Sequence, residues 1–140
     1  VERDRGKVQR GKKTSDVKKP PIKTSSAKSK GRSLQQWACD KISILLNIPW
    51  GKDALIASRE MGQSGVDVRL IGSAQERFPY SVECKYQETW ALPAWIKQAK
   101  ANQKEGTDWL LILRKNRMDP VVIMDGAVFF EILKRLEKDD

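Results

Sequence analysis

The chain has 140 residues, 39% of them hydrophobic, with 27 Lys/Arg against 18 Asp/Glu and a net charge of +9. That is enough for one domain with a modest core and too little for two. It has no histidine, only Cys39 and Cys84 as thiols, and no apolar run near the roughly 18 residues of a membrane span, which excludes zinc fingers, four-cysteine iron–sulfur clusters, histidine-based catalysis and a spanning helix. The first ten residues are charged without an apolar centre, so no secretory signal is expected. Two lone cysteines suit a reducing, cytoplasmic setting, and nothing in the sequence supports a disulfide between them.

Residues 1–33 hold 12 Lys/Arg against Glu2, Asp4 and Asp16, an excess of nine; the rest of the chain carries 15 of each sign. The same stretch is rich in Ser, Thr, Gly and Pro and cannot bury enough surface to offset its ordering entropy. Residues 1–32 are therefore expected to be a disordered basic arm, and 33–140 the folded domain. Lys12, Lys13, Lys18, Lys19, Lys28, Lys30 and Arg32 are its candidate contacts to a polyanion, nucleic acid above all. A solubility tail is the competing reading.

A first helix is predicted over Leu34–Leu46, with Ser33 and Gln36 as a capping box and Leu34, Trp37, Ala38, Ile42 and Leu45 as its apolar face. A short strand over Leu55–Arg59 and a turn over Met61–Gly65 follow. Val66–Ile71 alternates as a strand does; Gly72–Arg77 reads as a polar loop, and Tyr80–Tyr86 as the next strand, making an antiparallel hairpin. Pro93 opens a helix to about Glu105, with Gly106 as its cap. Trp109–Leu113 reads as a buried central strand and Val121–Met124 as another. Asp125 caps a last helix over Ala127–Glu137, whose buried stripe is Val128, Phe129, Ile132, Leu133 and Leu136. Trp37, Trp95 and Trp109 are assigned to the core, while Trp50 and Trp90 fall in loops, where contact with bases is an alternative to packing.

The chemistry concentrates in the hairpin. Alternation along Tyr80–Tyr86 puts Ser81, Glu83 and Lys85 on one face and Val82, Cys84 and Tyr86 on the other, toward the core. Glu83 and Lys85 then stand roughly 7 Å apart on one surface, which Asp67 can reach from the paired strand. Two carboxylates so placed repel unless a cation joins them; Mg²⁺ would take Asp67 and Glu83 as oxygen ligands, and the Cys84 carbonyl could be a third. Lys85 can orient or deprotonate a water, or offset phosphate charge. An exposed Glu–Lys pair on an edge strand is the bland alternative.

Met61–Val68, then Phe78–Lys85, then Gln98 on the following helix resemble the PD-(D/E)xK nuclease superfamily, most of all Holliday-junction resolvases and related phage endonucleases. The resemblance covers about residues 31–125. It implies a restriction-endonuclease-like α-β-β-β-α-β core, an α/β fold with a mixed sheet flanked by helices. It also implies DNA as partner, Mg²⁺ or Mn²⁺ as cofactor, a homodimer, and hydrolysis of branched DNA in recombination, repair or phage replication. Asp67 and Glu83 become the metal ligands, Lys85 the catalytic lysine, Ser64 a phosphate contact and Gln98 a helix residue that supports the site by hydrogen bonding, with an exposed helix polar as the alternative reading of Gln98. The sequence departs from the pattern at Val66, where the family has proline. It also lacks an acid near Gln35 and Gln36 on the first helix, a lack that Glu60 could make good. A DNA-binding protein without activity and a nuclease of ordinary duplex are the alternatives carried forward.

Overall fold

A computed structural model describes residues 24–60 and 65–138. Lys12, Lys13, Lys18, Lys19 and Ser64 lie outside the described residues. The elements run α1 (Thr24–Leu46), β1 (Ile56–Ser58), β2 (Val68–Leu70), α2 (Ser73–Arg77), β3 (Tyr80–Tyr86), α3 (Leu92–Asn102), β4 (Asp108–Arg114), β5 (Val121–Met124) and α4 (Gly126–Lys138). The fold is mixed α/β. Antiparallel β1 and β2 form one small sheet; β3, β4 and β5 form another, with β3–β4 parallel and β4–β5 antiparallel.

α1 buries Leu34, Ala38, Ile42 and Leu46 at four-residue steps, with Cys39 beside them. Leu46 takes the place expected of Leu45, which is 67% exposed. The helix starts at Thr24, so the boundary drawn at residue 33 falls inside it, and Ser33 is an interior residue rather than a cap. Its hydroxyl donates to the Lys30 carbonyl one turn back, and Lys30 Nζ bonds Asn116 Oδ1 at 3.1 Å while lying over the Tyr86 ring. That tertiary anchor outweighs the local capping preference.

β3 lies between two layers. Val82, Cys84 and Tyr86 join the cluster under α1; Trp95 and Ala99 of α3 pack with Trp109, Leu111 and Leu113 on the other face of the second sheet. β4 is buried along Trp109–Leu113, as its unbroken apolar run requires. The parallel β3–β4 pair needs a crossover, and α3 supplies it.

Three differences from the sequence-based expectations bear on the site. β2 and β3 form no ladder: β2 pairs with β1, and a backbone bond from the Asp67 N–H to the Val82 carbonyl at 2.9 Å links Asp67 to β3. The loop before β3 contains the five-residue helix α2, which follows Gly72 in the left-handed region (φ 58°) and is held by Gln75 Nε2 on the Phe78 carbonyl. α4 forms as read, with Asp125 Oδ1 accepting from the Ala127 and Val128 N–H groups, but it buries no side chain. Phe129, Phe130, Leu133 and Leu136 are 44%, 67%, 40% and 58% exposed.

Candidate active site

Glu83 sits mid-strand on β3, on the face that α3 covers, and is only 3% exposed. The face holding Ser81, Glu83 and Lys85 is thus an interior one, because α3 crosses over it. Asn102 at the end of α3 donates Nδ2–H to Glu83 Oε2 at 3.1 Å. The turn beyond α3 is tied to the same strand. The Lys104 N–H donates to Ser81 Oγ at 2.9 Å, and Ser81 Oγ is 2.6 Å from Thr107 Oγ1. Lys85, one strand period from Glu83, lies with Nζ 5.7 Å from the Trp95 ring centroid.

Asp67 immediately precedes β2 and is 4% exposed. Its Oδ2 accepts the Cys84 N–H at 2.7 Å, and its Oδ1 pairs with Arg59 Nη2 at 2.7 Å. In extended backbone a residue's N–H and carbonyl point to the same strand edge, so the Cys84 carbonyl also faces Asp67. The β1–β2 register that pairs Ser58 with Val68 sets Arg59 opposite Asp67 as a cross-strand pair of opposite charge.

The two carboxylates feel each other. Burial raises the Glu83 pKa to about 7, helped by the Asp67 charge and opposed by Asn102, Lys85 and Arg59. Burial also raises Asp67, against the Cys84 N–H, Arg59 and Lys85, which lower it. Cys39 is pushed up to about 12 by burial, and Cys84 well above its usual value by burial and the Asp67 charge. Both cysteines carry free thiols, and these stay protonated at neutral pH. The Cys84 side chain packs into the cluster under α1, on the face of β3 opposite Glu83, so that residue offers its backbone.

Asp67, Glu83 and Lys85 thus converge, while Gln98 does not join them. It is exposed, as the alternative reading had it, and Asn102, one turn on, hydrogen-bonds Glu83. Trp95, Ala99 and Asn102 share a stripe at i, i+4, i+7, a spacing visible in the sequence that points to Asn102. Arg59 has no comparable signal until the strand register is known. Glu60 is exposed, as are Lys28 and Arg32. Gln35 accepts from the Ser58 hydroxyl at 2.8 Å, and the acid of α1, Asp40, is exposed.

A cleft opens above the carboxylates, lined by Arg32, Trp50, Lys52, Arg59, Arg69, Asn102 and Lys104 among others. Asp67 and Glu83 are not in its wall. They lie one layer below, beneath Arg59 and Asn102. Among the described residues no cluster of three or more acidic, cysteine or histidine side chains could hold a metal. Two neighbouring carboxylates and one backbone carbonyl are oxygen donors of the kind a hard divalent ion takes, and the Arg59 guanidinium is the cation paired with Asp67. No helix among the described residues is long and apolar enough to cross a membrane. No protein-family model, curated protein or solved structure matches the chain.

Proposed function

We propose that this protein is a divalent-metal-dependent endonuclease of the PD-(D/E)xK type that hydrolyses DNA at branched sites such as four-way junctions. The observation that carries this reading is the meeting of Asp67 and Glu83 beside Lys85 under a cleft lined by Arg32, Lys52, Arg69 and Lys104. A Mg²⁺ or Mn²⁺ ion held by Asp67, Glu83 and the Cys84 carbonyl would supply a polarised water and neutralise phosphate charge. Asn102 holds the Glu83 carboxylate, Trp95 packs against the Lys85 ammonium, and Lys85 would offset charge on the attacked phosphate. Water attacking phosphorus would form the new P–O bond as the bond to the 3′ oxygen breaks; the water would give up a proton to solvent and the 3′ oxygen would take one, leaving a 3′-hydroxyl and a 5′-phosphate. The basic arm adds affinity without sequence preference.

The acting unit is a homodimer joined through α4. The exposed Phe129, Phe130, Leu133 and Leu136 of α4 would be covered by the same helix of the second copy.

Asp67→Asn and Lys85→Ala are each expected to lower Mg²⁺-dependent cleavage by roughly 10²-fold or more while leaving junction binding in EDTA intact. Labelled junction, flap and linear duplex, assayed side by side, test the substrate class; duplex cut as fast as junction removes the branched-DNA claim. The burial of both carboxylates favours one second reading, a DNA-binding protein without activity. Binding in EDTA followed by no product in Mg²⁺ or Mn²⁺ selects it.

A further inference from the structure

Arg59 stands between the cleft and the carboxylates. Its Nη2 is 2.7 Å from Asp67 Oδ1, its Nη1 donates to the Gly65 carbonyl at 2.8 Å, and its backbone N–H donates to the Asp67 carbonyl at 2.9 Å. The Arg59 side chain is 29% exposed and that of Asp67 only 6%. One partner of the pair thus touches solvent and the other does not.

Charge decides what this pair can tolerate. With Asp67 and Glu83 ionised and Arg59 and Lys85 protonated, the formal charges cancel without any ion. A divalent cation added while the guanidinium stays would leave a double positive excess in a poorly solvated place, at high cost. If the guanidinium leaves, a single positive charge remains, which one phosphodiester anion matches. The cleft offers Arg59 a destination, since Arg32, Lys52, Arg69 and Lys104 give it a field that concentrates phosphate. A guanidinium fork binds phosphate as well as it binds carboxylate.

We propose that Arg59 is an exchangeable guard of the cation site, bound to Asp67 in the metal-free protein and transferred to a backbone phosphate when DNA enters the cleft. Its transfer releases Asp67 to take the divalent ion. The inference rests on the reading that Asp67 and Glu83 hold that ion. DNA and metal then strengthen each other's binding by linkage, and the hydrolytic centre is completed only with substrate in place.

Mn²⁺ binding to the full chain without DNA, followed by the electron paramagnetic resonance signal of the unbound ion, tests this apart from activity. Arg59→Gln is expected to bind Mn²⁺ about tenfold more tightly than the natural chain, because the competing cation is gone. Arg59→Lys keeps a charge but cannot hold Asp67 and Gly65 together, so it falls between the two; it also serves if the glutamine variant does not fold. Asp67→Asn separates the two claims. Should it bind Mn²⁺ as well as the natural chain, the ion is not held at Asp67 and the nuclease reading itself fails. Should Asp67→Asn lose Mn²⁺ while the Arg59 variants bind it no more tightly than the natural chain, the ligands stand and the guard is overturned.

Discussion

Glu83 shows how one residue's surroundings set a property of the whole protein. Its carboxyl titrates at about 7 in the fold against an ordinary 4.5, because burial and the Asp67 charge both disfavour ionisation. The folded state therefore binds more protons than the unfolded chain between those values. Stability is highest below the unfolded pKa and is lost as pH rises through the folded one. Asp67 is shifted in the same direction and adds to the effect. In EDTA the melting temperature should fall between about pH 5 and pH 8, and Glu83→Gln should remove much of that slope. Adding Mg²⁺ should raise the melting temperature most at the high-pH end, where the carboxylates are ionised. A metal-free melting temperature that rises over that interval would contradict the assigned shift. The alternation of β3 made Glu83 and Lys85 neighbours in the sequence alone. The burial of Glu83 was not legible there, because it depends on where α3 crosses.

Elements with a strong periodic pattern were the readable ones. β3 and β5 match their expected spans, and β4 and α4 match to within a residue or two, since continuous apolar runs and helical stripes carry the signal. α2 was missed because five residues with a single buried Ala74 have no period. The start of α1 was missed because Lys30 is held by Asn116, far along the chain. The β2–β3 hairpin was misjudged because loop length alone does not say which strand β2 joins. α4 is the informative mismatch. It keeps the apolar stripe of a packed helix, yet none of its side chains is buried among the described residues, and Val121 and Val122 on neighbouring β5 are exposed with it. The natural chain should sediment as a dimer, and Leu133→Glu should shift it to monomer at concentrations about tenfold higher or more. An unaltered sedimentation profile in that variant would remove α4 as the contact.

At the level of the molecule, charge and fold are divided. The excess positive charge lies in the first quarter of the sequence, and the remainder is balanced. Removing residues 1–23 should weaken DNA binding and flatten its salt dependence, each lost phosphate contact lowering the log–log slope by about 0.9. Cleavage at saturating DNA should persist. An unchanged slope would mean that the arm does not touch the backbone. Between the two sheets, the Asp67 N–H donates to Val82 and the Asp67 carboxylate accepts from Cys84. The side chain proposed to serve hydrolysis thus does the work of a missing strand partner. Alanine at 67 would orphan a backbone amide and loosen the seam, confusing an architectural defect with a chemical one. Asparagine keeps an acceptor there. A descendant of this protein could not shed its carboxylate by simple truncation without first finding another way to rivet its halves together.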